Sequence, residues 1–264
     1  MREARRITSR DNATVKRLHG LVHSARDRRS QRQTVLDGSH LVAAALDGGR
    51  VLRELVVSDQ GAGREEIVDL VARCPDTPLL QLSDALFAHV SPVDSPSGVM
   101  AVIDVPPDDE SGAVADSLLL LDGVQDAGNL GTILRTAAAA GLRDVLLTSG
   151  CAQAWSPRVL RAGMGAHFCL RIRESVDAAT ALGGYRGAIL ATGLGAGARD
   201  LYACDLRGPV AWLFGSEGRG LSAEVASLAT GLVTIPMPGS VESLNVGAAA
   251  AICLFEQVRQ RRCG

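Results

Sequence analysis

Lysine is all but missing from this chain: Lys16 is the only one in 264 residues, so nearly every cation is an arginine. Aromatic residues are also scarce, at 3%. That scarcity argues against RNA-reading modules that stack bases on Phe and Tyr platforms. The six cysteines include no CxxC pair and no His/Cys metal spacing, which predicts reduced thiols and no metal site. No run reaches the roughly 18 uninterrupted apolar residues that a membrane span needs, so no membrane association is expected. Met1–Arg10 is polar and basic with no apolar core behind it, which excludes a secretory signal and makes the cytoplasm the expected location.

What is present is a 47% hydrophobic content, enough for a buried core, and a lopsided charge. Residues 1–32 carry ten basic and three acidic side chains, a balance of +7, so the whole-chain value of −2 leaves −9 on the remainder. Arg5, Arg6, Arg10, Lys16 and Arg17 in this segment are candidates for neutralising RNA phosphates. The plainer alternative is a solvated surface helix with an arginine bias.

Hydrophobic periodicity divides the chain in two. The first part opens with an amphipathic helical stretch at 12–29. Strand-like runs follow at 34–36, 52–57, 78–82 and 98–105, with helical patterns at 40–46, 64–73 and 83–90 between them. This alternation predicts a small N-terminal α/β/α domain over residues 1–105. Prolines, acids and a glycine break every periodicity at 106–116, which reads as a linker. The alternation then restarts over 117–264. Strands are expected at 117–121, 144–148, 169–172, 188–192, 209–214 and 232–235, and helices at 129–140, 157–163, 223–229 and 244–261. Several of these strands are nearly continuous apolar runs, as in a mostly parallel sheet covered by helices on both faces.

Three stretches of this second part carry chemistry. In the first, strand-like Leu119–Leu121 breaks into Asp-Gly-Val-Gln-Asp-Ala-Gly-Asn129-Leu-Gly131 before a helix. Asn129 is placed to cap that helix, and Arg135 shares a helical face with Gly131. In the second, Phe214-Gly215-Ser216-Glu217-Gly218-Arg219-Gly220 puts a tight loop at the carboxyl end of an apolar strand, where open α/β sheets bind ligands. In the third, Ile235-Pro-Met237-Pro fixes an extended segment that leads through Ser243, Leu244 and Asn245 into a helix of small residues.

In this order and spacing the three stretches closely resemble the motifs of the SpoU (TrmH) family of RNA 2′-O-ribose methyltransferases, within the SPOUT superfamily. The N-x-G-x-x-x-R, F-G-S-E-G-x-G-L-S and I-P-M-x-G-x-x-x-S-L-N patterns are all intact. The N-terminal part is similar to that family's substrate-binding domain. The resemblance implies an α/β fold with a deep trefoil knot, S-adenosylmethionine as methyl donor, RNA (most readily large-subunit rRNA) as substrate, and a homodimer. It also implies that Thr192, Gly193, Gly215, Ile235, Met237 and Leu244 contact the cofactor. Arg135 matches the family's catalytic arginine, with Asn129, Glu217, Ser243 and Asn245 as supporting polar residues.

Two other function classes are compatible with parts of the sequence. Gly193-Leu-Gly195-Ala-Gly197-Ala198 formally satisfies the dinucleotide-binding G-x-G-x-x-A pattern. A non-catalytic RNA-binding or ribosome-assembly protein could keep the fold, although it would have no need of Arg135, Glu217 and Asn245.

Overall fold

The computed structural model describes residues 4–107 and 116–263. They fall into two compact units, one made of Met1–Pro107 with Trp155–Phe168 and the other of Asp108–Ala154 with Cys169–Gly264. The expected linker at 106–116 falls mostly on residues 108–115, which lie outside the described residues. The expected continuous second domain is interrupted, because Trp155–Phe168 packs with the first unit.

The first unit contains β1 (Arg5–Ile7), α1 (Ala13–His23), α2 (Ala25–Gln31), β2 (Gln33–Asp37), α3 (Ser39–Asp47), β3 (Leu52–Ser58), α4 (Glu65–Arg73), β4 (Leu79–Leu82), α5 (Asp84–Val90) and β5 (Val99–Asp104). Its five strands lie in the order β1-β4-β3-β5-β2. The pairs of β4 with β1 and β3 are parallel, and those of β5 with β2 and β3 are antiparallel. The single helix expected over 12–29 is two helices. Ser24 is extended (φ −116°, ψ 114°), and its hydroxyl accepts from Asp27 N to start α2. Buried Arg28 then donates to the carbonyls of Leu21 and Val22 at the end of α1, so one member of the basic segment serves as a helix terminator. Val15, Leu18, Leu21 and Val22 bury the inner stripe of α1 against Leu86, Phe87 and Val90 of α5 and the strands beneath.

The second unit contains β6 (Leu118–Asp122), α6 (Ala127–Ala139), β7 (Asp144–Thr148), β8 (Arg171–Val176), α8 (Ala178–Leu182), β9 (Ala188–Thr192), β10 (Arg199–Asp200), β11 (Val210–Gly215), α9 (Ala223–Ser227), β12 (Gly231–Thr234) and α10 (Val246–Cys263). Helix α7 (Pro157–Gly163), which precedes β8 in the chain, is the one that packs with the first unit. The seven strands lie in the order β10-β12-β9-β11-β6-β7-β8, and every pairing is parallel.

Burial explains the composition of these strands. Leu118–Leu121 and Val210–Phe214 are central and covered on both faces, so successive residues must all be apolar. Leu118, Leu120, Ala211 and Leu213 pack under α8 and α9, whereas Trp212, pointing the other way, hydrogen-bonds Gln257 of α10. The edge strands β8 and β10 are rich in charge (Arg-Ile-Arg-Glu-Ser-Val and Arg-Asp), which discourages pairing with a foreign chain. That edge polarity displaces β8 from the expected 169–172. It also hid β1 and β10, whose sequences carry no apolar alternation.

Candidate active site

The chain leaves β6 toward β7 and β8 on one side of the sheet and returns to β9, β11 and β12 on the other. The carboxyl ends of β6, β9, β11 and β12 therefore flank a topological switch point, the place where open parallel sheets leave a crevice. A cleft opens there, lined by Thr192, Gly193 and Leu194 at the end of β9, Phe214–Glu217 and Gly220 at the end of β11 and in its loop, Val233–Ile235 and Met237 at the end of β12 and beyond, and Ser243, Leu244, Val246 and Ala249 before and within the first turn of α10. All six residues expected to contact a cofactor are on this wall, together with Glu217 and Ser243.

The wall is shaped by backbone constraints. A Cβ on Gly215 would stand 2.0 Å from the carbonyl carbon of Gly220 and 2.2 Å from Leu221 N. Only glycine permits that approach. The loop it opens is closed by two backbone bonds, Ser216 N to Gly220 O (3.1 Å) and Gly220 N to Ser216 O (2.9 Å). Asp122, at the end of β6, fixes the far side of the loop: Oδ2 accepts from Ser222 N at 2.7 Å and Oδ1 from the Thr148 hydroxyl at 2.8 Å. Ser222 caps α9 by accepting from Val225 N. The Thr192 hydroxyl donates to Leu213 O at 3.2 Å, and Gly193 N donates to Val233 O at 3.0 Å, so the β9 wall is tied to both neighbouring strands.

Three of the expected polar residues form one bridge beside the cleft. Asn129 Nδ2 donates to Glu217 Oε1 at 2.6 Å, and Asn245 Nδ2 donates to Asn129 Oδ1 at 2.9 Å. Asn245 Oδ1 also accepts from Gly247 N and Ala248 N and so caps α10. One amide thus joins the start of α6, the loop after β11 and the start of α10. The capping role expected of Asn129 is corrected. Helix α6 begins two residues earlier, and Asp126 accepts from Asn129 N at 2.7 Å. Both Asp126 and Asn129 are chemically able to cap, and the carboxylate takes the position. The Asn129 side chain is thereby released for the bridge.

Ser243 lines the cleft but stands outside the bridge. Arg135 is exposed on α6, absent from the cleft lining, and makes no ion pair with any described residue. It lies six residues beyond Asn129, roughly 9 Å along the helix. Among the five cations proposed for RNA, Arg6 pairs with Asp59 (2.9 Å), Lys16 with Asp11 (3.0 Å) and Arg17 with Glu54, whereas Arg5 and Arg10 are exposed and form no ion pair among the described residues. Sequence reasoning passed over Asp122 and Gln257. Gln257 is 2% exposed, accepts from Trp212 Nε1 at 2.9 Å, and donates to the Ser117 hydroxyl and to the carbonyls of Leu206 and Gly208. The Asp-Gly pair directly after an apolar strand could have pointed to Asp122.

The dinucleotide reading fails on geometry. Gly193–Ala198 is followed by the two-residue β10 and a short 3-10 turn at Leu201–Ala203, so no helix N-terminus faces the glycines to receive a pyrophosphate. The donor set suits a different ligand. The cleft offers backbone groups at Gly193, Gly215 and Ile235, apolar side chains at Ile235, Met237, Leu244 and Val246, and one carboxylate, Glu217. Such a wall fits an adenosyl group held through its base edges, next to a sulfonium cation. Among the described residues no group of His, Cys, Asp and Glu has the arrangement to hold a metal ion.

Comparison with known proteins extends these observations. Residues 116–255 match the SpoU rRNA Methylase family, and residues 12–101 match the MRM3-like substrate binding domain. The chain is 32% identical to the 23S rRNA (guanosine(2553)-2′-O)-methyltransferase RlmP of Bacillus subtilis, over 95% of this chain and 98% of that one. Among solved structures it superposes with TM-score 0.83 on the SpoU methyltransferase AviRb from Streptomyces viridochromogenes in complex with the cofactor AdoMet, at 26% identity and covering 96% of this chain and all of that one. An AdoMet-bound rRNA methyltransferase from Sinorhizobium meliloti gives TM-score 0.83 at 31% identity, covering 97% and 98% of the two chains.

Proposed function

The chain belongs to the SpoU rRNA methylase family, and on that premise we propose that it methylates the 2′-hydroxyl of one ribose in large-subunit ribosomal RNA. It is an S-adenosylmethionine-dependent RNA 2′-O-methyltransferase. The observation that carries this reading is the convergence of the second and third motif stretches on one cleft, to which the first is tied by the Glu217–Asn129–Asn245 bridge. The ribosomal target draws support from the B. subtilis relative and from the substrate-binding match over residues 12–101.

When bound, the cofactor supplies a methyl group made electrophilic by a positively charged sulfur. The chain's own task is alignment, since transfer needs the ribose oxygen roughly 3 Å from the methyl carbon and in line with it. The backbone-fixed wall at Gly193, Gly215 and Ile235 keeps the donor's position independent of side-chain motion. The amide bridge keeps α6, the β11 loop and α10 from parting, so the cleft and the α6 face remain in register. A ribose hydroxyl is a poor nucleophile, and charge grows on its oxygen as the proton leaves. A guanidinium stabilises that charge and grips the adjacent phosphate; Arg135 is the residue for this. A guanidinium carries five N–H donors and no acceptor, so Arg135 is an electrostatic partner rather than a base.

Arg135 is exposed and outside the cleft lining of its own chain, and for that reason the active site is assigned to a homodimer in which one protomer's Arg135 serves its partner's cleft. Exposed Phe255 on α10 and Leu244 at the cleft mouth supply apolar surface for such an interface. The same reading includes the trefoil knot. Supporting it, α10 is gripped along its second half by residues 204–208 of the β10–β11 crossover: Gln260 donates to Cys204 O and accepts from Leu206 N, and Gln257 and Arg261 both donate to Gly208 O. A crystal structure tracing the chain from β9 through α10 decides the knot. The target is decided by mapping 2′-O-methyl groups in rRNA from cells with and without the gene. One site should disappear on deletion and return on complementation, and an unchanged map would refute the ribosomal assignment.

A further inference from the structure

Three histidine side chains gather at one place on the first unit. His19 and His23 lie one turn apart on α1, with ring centroids 4.4 Å apart, and α5 brings His89 to 4.7 Å from His19 at an interplanar angle of 23°. The result is a row, His23–His19–His89, whose two end rings are His23, exposed, and His89, half-buried. An exposed guanidinium attends each end, Arg158 of α7 acting on His23 and Arg10 acting on His89.

The groups facing the row come from four elements: His19 and His23 from α1, Arg10 from the segment before it, His89 from α5 and Arg158 from α7. Burial, neighbouring imidazoles and Arg158 lower the pKa of His23, opposed by a hydrogen bond with the Val90 backbone; burial, Arg10 and His19 lower that of His89; no carboxylate contributes to either. A flat-ringed surface with a guanidinium at each end, and no carboxylate acting on either end ring, is complementary to a partner that is anionic and carries flat rings of its own.

We infer that the His23–His19–His89 row, with Arg10 and Arg158 at its ends, receives unpaired nucleotides of the RNA substrate, bases extending the imidazole stack and phosphates meeting the guanidiniums. The inference rests on the RNA methyltransferase reading and names where its substrate docks. Unstacked bases are recognised on His as well as on Phe, Tyr and Trp faces. Single-stranded RNA is held by such stacking together with a cationic track along its backbone. Of the cations first considered for this role, Arg6, Lys16 and Arg17 are less suited, because they already face carboxylates. Phosphates arriving at the row offset the cationic repulsion that helps lower the pKa of His23 and His89, so binding should draw protons onto those two rings and strengthen as pH falls.

The test uses the full-length protein and a fluorescein-labelled single-stranded RNA of roughly 12 nucleotides, read by anisotropy. His23→Ala/His89→Ala should weaken binding by about tenfold or more, while S-adenosylmethionine affinity, measured by calorimetry, stays within about twofold. His23→Phe/His89→Phe should restore most of the affinity and abolish its gain between about pH 7.5 and pH 6. Arg10→Ala/Arg158→Ala should flatten the salt slope by about 0.7 per charge removed. An alanine variant that binds like the parent, a phenylalanine variant that fails to rescue, or a duplex of equal length competing as well as the single strand would each overturn the inference. Parent protein that binds the RNA but transfers no methyl would count against the enzymatic reading alone. Normal transfer with alanine-insensitive binding would count against the docking surface alone.

Discussion

Gly215→Ala is the substitution whose effect the structure specifies most tightly. The added methyl would lie 2.0 Å from Gly220 C, 2.2 Å from Leu221 N and 2.3 Å from Gly220 O, all of them backbone atoms that no side-chain rotation can move. The loop must open, which breaks the two bonds between Ser216 and Gly220. At about 1 kcal/mol per bond, plus about 1–3 kcal/mol for overpacking, the loss is about 3–5 kcal/mol if the loop is strained and about 2 kcal/mol if it swings free. For a unit of this size that lowers Tm by roughly 4–20 °C. Either outcome displaces the cleft wall, so S-adenosylmethionine affinity should fall by at least about tenfold, measured by calorimetry at a temperature where the variant is folded. Gly218 provides the control in the same loop, since a Cβ there meets nothing within 4 Å. Gly218→Ala should leave Tm and cofactor affinity near the parent values. Equal effects at the two positions, or none at Gly215, would refute the argument that backbone proximity shapes the site.

Asn129→Ala removes the central member of the amide bridge and leaves the Gly215 wall intact; single-turnover transfer should drop about 10–100-fold with cofactor affinity changed less than about threefold. A fall in affinity as large as the fall in rate would mean that the bridge shapes the cleft itself. Arg135→Ala alone should transfer about 100-fold more slowly. Mixed with Gly215→Ala under conditions that exchange protomers, it should recover about a quarter of parental turnover, because half the dimers then contain one complete site. No recovery would place Arg135 in its own protomer's site. Asp37, buried at the end of β2, has its carboxyl pushed up by burial, opposed by Arg161 3.9 Å away, and its Oδ1 has no hydrogen-bond partner among the described residues. A carboxyl raised in the folded state favours folding when protonated, below its unfolded value of 3.8, and loses that contribution as pH rises through the folded value. Asp37→Asn should therefore gain in Tm relative to the parent as pH rises from about 4 to 8; a constant difference across that range would contradict it.

The local pattern of the sequence was enough to place most elements, because central parallel strands such as Leu118–Leu121 must be apolar throughout and the helices carry recognisable starts at Ser83 and Ser222. The family resemblance of the motif stretches, not the local pattern, singled out eight of the residues that line the cleft. What the local pattern missed depends on partners distant in sequence. Gln257 sits in the polar run Glu-Gln-Val-Arg-Gln-Arg, which reads as a solvated helix face, yet it is buried because segments more than forty residues away surround it. Trp155–Phe168 lies between two strands of the second unit's sheet and packs with the first unit, and no periodicity encodes that choice. Asp126 and Asn129 compete for one cap, and only coordinates separate them. Low aromatic content argued against base stacking because Phe, Tyr and Trp were counted; the histidine row becomes visible only when α5 is folded against α1.

The central claim is that the cleft directs a methyl group onto a ribose oxygen of RNA. Its most direct test is to incubate the purified protein with methyl-tritiated S-adenosylmethionine and unmodified large-subunit rRNA, then hydrolyse the product in alkali. A 2′-O-methyl group blocks cleavage at its own phosphate, so the account predicts label in an alkali-resistant dinucleotide. Label recovered in mononucleotides, which would mean base methylation, or no label in the RNA at all, would contradict it.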